Sequence, residues 1–428
     1  MHDYEHFAYE DKDEFLAKSR LYWNNDKTQF WQDSGVDLVI DRREGYFLWD
    51  MDGRRLMDVH LNGGTYNLGH RNPEIVAAVR SALDQFDVGN HHFPSLARTA
   101  LAEKLVATGP ASLNRVAYAS GGGEAIDIAL KSARHATQRR KIVSIVKAYH
   151  GHTGLAVAAG DDRFTKFFLS EQDEDFPHVP FNDLVAMESA LSGRDVAAVI
   201  METIPATYGF PLPKPGYLES VKALCEKYGT LYIADEVQTG LMRTGELWGI
   251  TKHGIEPDIL VTGKGISGGL YPIACVLLGE HSGSWLDQDG FAHMSTFGGA
   301  ELGCIAALKC LEITTRPQTR AGVHYIADVI GQGLADIVAT HPGFFTGIRQ
   351  NGVIFGLEFP HPDGAKYVMR ELYQLGVWAI FSTLDPSVLQ YKPGILMTPD
   401  LCEELLDRTA LAIDRAAKAY ASPRRVAS

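Results

Sequence analysis

The residue best suited to covalent chemistry is a lysine among glycines. Lys264 lies between Gly263 and Gly265, directly after the apolar run from Ile259 to Thr262. Glycines let the backbone approach a ligand closely, and a lysine amine removed from water loses its charge and becomes a nucleophile toward carbonyl groups. A single lysine is usually solvated, so the flanking glycines are what favour a chemical role here.

Two carboxylates and an amide follow another apolar run. The run from Leu231 to Ala234 leads directly into Asp235 and Glu236, and Gln238 comes two positions later. Adjacent acidic residues are common on solvated turns, but a position at the end of a buried strand argues against a surface cluster. Open α/β sheets bind ligands at the carboxyl ends of their strands, so Asp235, Glu236 and Gln238 are candidate ligand contacts.

Two glycine-containing segments could bind a phosphate. Gly121-Gly122-Gly123 lies between a short predicted strand and a predicted helix. A helix start offers free N–H groups and a positive dipole end, which suit an anion. The alternative is a tight strand-to-helix turn. The second segment, Ser295-Thr296 before Gly298-Gly299, is either another phosphate contact or a capped turn.

The spacing Gly263-x-Gly265-x-x-Gly268 matches a dinucleotide-binding fingerprint, but its context does not. That fingerprint requires a helix next and an acidic residue about twenty positions later. The apolar run from Ile273 to Leu278 predicts a second strand instead. A nicotinamide dehydrogenase is therefore disfavoured.

Composition excludes several classes of protein. The chain has 428 residues with 53 Asp and Glu against 40 Lys and Arg, a net charge of −13, which argues against a nucleic-acid binder. Its five cysteines form no C-x-x-C pair, and the histidine pairs lack a third ligand at suitable spacing, so we predict neither disulfides nor a metal site. The apolar runs are too short to cross a membrane, and the acidic start Met1-His-Asp-Tyr-Glu has no apolar core of a secretory signal. We expect a cytoplasmic protein.

Strands and helices alternate around these segments. Apolar strands interleaved with helices indicate an α/β fold with a mostly parallel sheet covered on both faces. After residue 315 the pattern changes to an alternating strand and a long terminal helix. We predict an N-terminal segment at residues 1–60, a large domain at 61–315, and a smaller α+β domain at 316–428 that packs with the N-terminal segment.

A phosphate cradle, an acidic residue and a reactive lysine are together what pyridoxal phosphate requires. Over nearly its whole length the chain resembles the class III aminotransferases, which are fold type I pyridoxal-phosphate enzymes. The motifs that carry the resemblance are Asp235-Glu-Val-Gln-Thr-Gly-x-x-Arg-Thr-Gly245, Gly263-Lys264, Asn67-Leu-Gly69-His70-x-x-Pro73, Tyr149-His150-Gly151 and Thr296-Phe-Gly-Gly299. The resemblance implies a seven-stranded, mostly parallel sheet in the large domain and pyridoxal 5'-phosphate as cofactor.

The resemblance also implies roles around the cofactor ring. Lys264 would form a Schiff base with the cofactor and later move a proton. Asp235 would pair with the pyridine nitrogen and keep it protonated, so that the ring can accept electrons. Gln238 would bond to the 3-hydroxyl oxygen, and Tyr149 would stack on the ring.

Further implied roles lie at the phosphate and the rim. Gly122 and Gly123 would give backbone N–H groups to the phosphate, and Glu202 would lie at a strand end near the cofactor. Thr296 would reach the phosphate of the neighbouring subunit, which implies a homodimer with shared sites. His150 and Arg243 match the motifs too, but a structural hydrogen bond or ion pair explains them equally well.

The chain departs from the family where many members bind a substrate carboxylate. Gln390 stands where those members have an arginine, and Thr207 stands where they have the glutamate that gates it. Lys392 could bind an anion as a point charge, but it lacks the planar fork of arginine. An α-carboxylate handled in the usual way is therefore less expected.

We predict an aminotransferase that moves an amino group from an amine or amino acid donor to a keto acid or aldehyde acceptor in ping-pong half-reactions. Alternatives on the same scaffold are a racemase or aminomutase, a phospholyase and a decarboxylase. A non-catalytic scaffold relative is less favoured, because Lys264, Asp235 and Gln238 are all present.

Overall fold

The computed structural model describes residues 9–171 and 174–421. Helices lie at Lys12–Tyr22 (α1), Asn25–Asp33 (α2), Leu61–Gly64 (α3), Pro73–Ala82 (α4), Leu96–Thr108 (α5), Gly122–Thr137 (α6), Gly154–Ala158 (α7), Asp162–Phe167 (α8), Leu184–Leu191 (α9), Tyr217–Tyr228 (α10), Trp285–Gln288 (α11), Glu301–Thr314 (α12), Pro317–Thr340 (α13), Gly364–Gln374 (α14) and Pro399–Ala421 (α15). Strands lie at Ile40–Glu44 (β1), Phe47–Asp50 (β2), Arg55–Asp58 (β3), Leu113–Ala119 (β4), Lys141–Ile145 (β5), His178–Val179 (β6), Val196–Glu202 (β7), Leu231–Asp235 (β8), Ile259–Thr262 (β9), Ala274–Gly279 (β10), Gly347–Asn351 (β11), Ile354–Glu358 (β12), Val377–Trp378 (β13), Ile380–Ser382 (β14) and Asp385–Tyr391 (β15).

A seven-stranded sheet forms the centre of the molecule, in the order β4-β10-β9-β8-β7-β5-β6. Strand β10 runs antiparallel to both of its neighbours, and the other pairings are parallel. The predicted α/β class with a mostly parallel seven-stranded sheet is confirmed.

Both faces of this sheet are covered by helices. In β7, Val199 and Met201 pack in the apolar cluster that contains α10, whereas Ala198 and Ile200 pack in the cluster that contains α6. Alternate side chains of a strand point to opposite faces, so a strand buried on both sides must be apolar throughout. This requirement explains why the central strands were readable as uninterrupted apolar runs.

Two smaller sheets accompany it in the described residues, with the orders β1-β2-β3-β13 and β11-β12-β15-β14. Strands β2 and β3 form an antiparallel hairpin, and Gly53 in its turn has a φ of +79°. Strand β13 pairs in parallel with β3, which joins the N-terminal strands to the C-terminal part of the chain. The proposed domain boundaries remain predictions, and the five residues behind the secretory-signal prediction lie outside the described part.

The segment after the Gly263-x-Gly265-x-x-Gly268 motif is a strand, as predicted. A short 3-10 helix, Lys264–Ser267, follows β9 and leads through Gly268 and Gly269 into β10. Gly268 has a φ of +57°, and a Cβ there would lie 2.6 Å from Cδ1 of Ile75. This glycine therefore serves a close packing contact. No helix among the described residues is long and apolar enough to cross a membrane.

Candidate active site

A cavity of about 240 Å³ lies at the carboxyl ends of the central strands. Its walls come from the ends of β7 and β8 and from the segments that follow β4, β5 and β9. The lining residues are Gly122, Gly123, Tyr149, His150, Gly151, Glu202, Asp235, Val237, Gln238 and Lys264. The structure thus brings together all the site residues singled out from the sequence except Thr296.

Asp235 is the last residue of β8, and both of its carboxylate oxygens are held. Oδ2 lies 2.7 Å from Nδ1 of His150, and Oδ1 accepts the backbone N–H of Val237 at 3.0 Å. The His150 side chain is fully buried, and its other nitrogen lies 3.4 Å from Oγ of Ser144. The ring of His150 therefore fixes the carboxylate in one orientation at the cavity wall.

Lys264 begins the 3-10 helix after β9 with a φ of +44°. A non-glycine residue in the left-handed region is uncommon, and such strain concentrates at functional sites. Burial lowers the pKa of the Lys264 amine, while the carboxylates of Asp235 and Glu202 oppose that shift. The neutral amine needed for attack on a carbonyl is thereby favoured.

The backbone beside Lys264 is open because residue 63 is glycine. A Cβ on Gly63 would lie 3.0 Å from Cε of Lys264 and 3.7 Å from Oε1 of Gln238. Oε1 of Gln238 is buried and has no hydrogen-bond partner among the described residues. The amide of Gln238 is therefore available to a ligand in the cavity.

Glu202 ends β7 and presents a buried carboxylate to the same cavity. Its Oε1 accepts the backbone N–H of Tyr149 at 3.2 Å, and its Oε2 accepts that of Ala206 at 3.0 Å. Burial, and next the negative charge of Asp235, raise the pKa of Glu202 to about 7. A carboxyl group with such a pKa can change its protonation state near neutral pH.

The glycines at the start of α6 form a backbone cradle. Gly121 caps the helix in an extended conformation and offers no side-chain cap, so the first N–H groups of α6 are open. A Cβ on Gly123 would lie 2.8 Å from Oγ1 of Thr153, and Gly151, with a φ of +115°, would place a Cβ 2.8 Å from Cα of Gly123. Any side chain at these positions would fill the space in front of the helix start.

These features fit pyridoxal phosphate. The open N–H groups of α6 suit the phosphate, the carboxylate of Asp235 suits the pyridinium nitrogen, and the unpartnered Gln238 amide suits the ring hydroxyl. Among the described residues, no group of three or more His, Cys, Asp or Glu could hold a metal ion.

Thr296 lies elsewhere. It is exposed on the loop between α11 and α12 and does not line the cavity of its own chain. Ser295 next to it accepts the backbone N–H of Gly298 at 2.9 Å, so the loop has the capped turn that the sequence left open. A phosphate contact by Thr296 would have to come from another subunit.

Arg243 is buried and makes one hydrogen bond to the backbone. Its Nη2 donates to the carbonyl of Gly64 at 2.7 Å, and a Cβ on Gly64 would lie only 2.0 Å from that nitrogen. The guanidinium is buried, and its Nε and Nη1 have no partners among the described residues. Sequence reasoning did not name Val237 as a cavity residue, although its place between Asp235 and Gln238 was a usable signal.

Comparison with known proteins agrees with this geometry. A profile of the class-III aminotransferases matches residues 31–413. The chain belongs to the class-III aminotransferases. An uncharacterised aminotransferase of Archaeoglobus fulgidus is 42% identical over 392 residues, which cover 92% of both chains.

Solved structures show the same fold. The ornithine aminotransferase of Toxoplasma gondii superposes with a TM-score of 0.86 at 24% identity, covering 96% of this chain and 97% of its own. A transaminase of the marine bacterium Virgibacillus gives 0.87 at 23% identity, covering 95% and 99%. The taurine:2-oxoglutarate aminotransferase of Bifidobacterium kashiwanohense, solved with pyridoxal phosphate and glutamate, gives 0.82 at 26% identity, covering 89% and 93%.

Family membership confirms the predicted class of reaction and the predicted cofactor. The protein is an aminotransferase that depends on pyridoxal phosphate.

Proposed function

We propose that the residues lining this cavity carry out the two half-reactions of transamination, with Lys264 as the attachment point of the cofactor and the proton carrier. The observation that carries the proposal is that the Lys264 amine, the Asp235 carboxylate and the glycine-lined start of α6 line one cavity. When bound, pyridoxal phosphate withdraws electrons from the carbon that bears the amino group.

Asp235 keeps a proton on the ring nitrogen. A fixed carboxylate next to that nitrogen favours its charged form, and the charge stabilises electrons that move into the ring. His150, at 2.7 Å from Oδ2, prevents the carboxylate from turning away. This preorganisation requires no rearrangement during the reaction.

Lys264 moves the proton between the substrate carbon and the cofactor. Once a donor amine has taken its place on the cofactor, Lys264 would be a free amine in the cavity. Because burial lowers its pKa, this amine accepts a proton less tightly than a solvated lysine and can give it back. The neighbouring glycines keep the backbone clear of its path.

The remaining lining residues hold the cofactor. Gly122 and Gly123 would donate backbone N–H groups to the phosphate, and the unpartnered Oε1 of Gln238 would accept from the ring hydroxyl. Tyr149 stacks on the ring, and its own ring already makes edge contacts with His152 and Phe164. Glu202 lies at the rim near the cofactor.

The functional unit is proposed to be a homodimer in which Thr296 contributes to the partner's phosphate site. Exposed apolar side chains on the same loop support this, since Phe291, Met294 and Phe297 are 65%, 55% and 58% exposed. A patch of this kind on a soluble chain marks an interface. Light scattering should give twice the chain mass, and a monomer at working concentration would contradict the proposal.

We also propose that the chain divides into domains after residues 60 and 315, and that the protein is cytoplasmic. All five cysteines are free thiols, as expected in a reducing compartment. The substrates proposed are an amine or amino acid donor and a keto acid or aldehyde acceptor.

The half-reaction test separates transamination from the alternatives. The purified holoenzyme is mixed with single donors and no acceptor, and the visible spectrum is followed. We expect at least one donor to convert the bound cofactor to its amino form with release of a keto product. Racemised, decarboxylated or phosphate-eliminated products without that conversion would contradict the proposed reaction.

A further inference from the structure

Gln390, which stands where the family has an arginine, lies in a buried hydrogen-bond network with Lys392, Ala206 and Ser382. Gln390 donates from Nε2 to the carbonyl of Ala206 at 3.0 Å and to Oγ of Ser382 at 3.1 Å. Its Oε1 accepts from Nζ of Lys392. All the side-chain hydrogen-bonding groups of Gln390 are therefore engaged, and none is left to bind a substrate carboxylate.

Lys392 is held on several sides. It is 1% exposed, its backbone N–H donates to the carbonyl of Val59 at 2.7 Å, and its amine lies 5.3 Å from the ring centre of Phe210. Because the Ala206 carbonyl can only accept, it selects the amide orientation of Gln390 in which Nε2 faces Ala206 and Oε1 faces Lys392. The opposite orientation would place two oxygens, those of Gln390 and Ala206, against each other.

Ala206 connects this network to the cavity. Its carbonyl accepts from Gln390, and its N–H donates to Oε2 of Glu202 at 3.0 Å. Gln390 and Lys392 lie at the end of β15 and just beyond it, whereas Glu202 ends β7 of the central sheet. The contacts thus connect β15, in the sheet β11-β12-β15-β14, to the carboxylate of Glu202 in the cavity.

We propose that Lys392 and Gln390 form a relay that holds the Ala206 N–H against Glu202 and so keeps this carboxylate oriented and ionised in the cavity. The relay makes Lys392 and Gln390 positioning residues, because neither lines the cavity that holds Lys264. Its effect on catalysis rests on the proposed placement of Glu202 near the cofactor.

The sign of the effect follows from the contacts of Glu202. A hydrogen bond donated to a carboxylate favours the ionised form, and the N–H of Ala206 lowers the pKa of Glu202 against the opposing effect of burial. Loss of that donor must therefore raise the pKa of Glu202. Loss of the Lys392 amine acts in the same direction, because it frees Oε1 of Gln390 and so loosens the amide that holds Ala206. The titratable groups that face Glu202 are Asp235, His150, Tyr149, Lys264 and Lys392.

The test uses Gln390→Met and Lys392→Met, with Tyr391→Phe as the matched control. Tyr391 lies between the two on the chain, but its hydroxyl contacts Oγ1 of Thr409 at 2.9 Å, away from Glu202. The carboxyl band of Glu202 is titrated by infrared difference spectroscopy in the cofactor-free protein, with Glu202→Gln as the reference spectrum. We expect the midpoint to rise by about one pH unit in both Met variants and to stay unchanged in the control.

A second readout is taken on the holoenzyme. The acid limb of the pH–rate profile should move upward by the same amount in both Met variants, and it should not move when Glu202→Gln is also present. An infrared shift without a shift of the rate profile would remove Glu202 from the proposed reaction but leave the relay intact. Unchanged infrared midpoints in the Met variants would overturn the relay. Unfolding of both Met variants would overturn it equally, because the pair would then serve the core alone.

Discussion

Asp235 and Glu236 are adjacent carboxylates at the end of one strand, and both are buried. Asp235 faces the cavity, with His150 and one backbone N–H as its partners. Glu236 does not line this cavity. It accepts from Oγ1 of Thr203, from Oγ1 of Thr239 at 2.9 Å, and from the N–H groups of Gly249 and Ile250, each at 2.8 Å.

The comparison indicates that the hydrogen-bond partners of a buried carboxylate decide whether it is available for chemistry. The oxygens of Glu236 are saturated by donors from three separate segments, so that this carboxylate ties loops together. Asp235 keeps an open side at the cavity. Both side chains are buried carboxylates, and their hydrogen-bond surroundings separate a reacting group from a structural one.

The largest expected effect is that of Asp235→Asn. The neutral amide cannot hold a proton on the ring nitrogen, and we expect kcat/KM to fall by about 10²–10⁴-fold. Steady-state kinetics with the best donor measures this, and thermal unfolding checks that the fold is kept. A loss of less than tenfold in a folded variant would contradict the claim that Asp235, unlike Glu236, takes part in the reaction.

Glu236→Gln should reverse the pattern. An amide NH₂ group would face donors rather than accept from them, which leaves buried N–H groups unpaired at a cost of about 1–3 kcal/mol in unfolding free energy. Turnover per folded molecule should stay within a few-fold of the original protein. Urea denaturation and active-site titration measure the two quantities. A stable but inactive variant would show that Glu236 takes part in the reaction.

The same two variants also test whether Asp235, and not Glu236, shifts the pKa of Lys264. Asp235 raises the pKa of Lys264 against the effect of burial, so Asp235→Asn should make the free amine titrate at a lower pH, whereas Glu236→Gln should leave it in place. Competitive labelling of Lys264 across a pH series in the cofactor-free protein, read by mass spectrometry, gives the midpoint. Equal midpoints in all three proteins would exclude a charge interaction between Asp235 and Lys264.

The smallest expected effect is at Thr296, which has no place in its own chain's cavity. Thr296→Val should weaken cofactor binding by about 5-fold, the loss of one hydrogen bond of about 1 kcal/mol. Equilibrium dialysis of the cofactor measures it. Affinity equal to that of the original protein would leave the phosphate contact to the glycine cradle alone.

Much of the fold could be predicted because the central strands are buried on both faces. Val196 to Met201 and Ile259 to Thr262 are apolar throughout for that reason, and Lys264 and Asp235 follow strands of this kind directly. Helix α4 ends at Ala82, although the helical period of the sequence continues to Phe86, because periodicity does not mark the residue at which a helix ends.

The sequence could not separate Asp235 from Glu236 by physical reasoning. Their difference depends on Thr203, Gly249 and Ile250, which come together only in the folded chain. The same holds for Gln390, whose absence of a charge was visible in the sequence but whose saturation by Ala206 and Lys392 was not.

Borohydride reduction of the holoenzyme tests directly whether Lys264 is the lysine that binds the cofactor. Reduction makes the bond between the cofactor and its lysine permanent, and peptide mapping by mass spectrometry then identifies that lysine. We expect a phosphopyridoxyl group on the peptide that contains Lys264, and none on any peptide of the Lys264→Ala variant. A label on another lysine, or a cofactor that leaves the reduced protein unmodified, would contradict it.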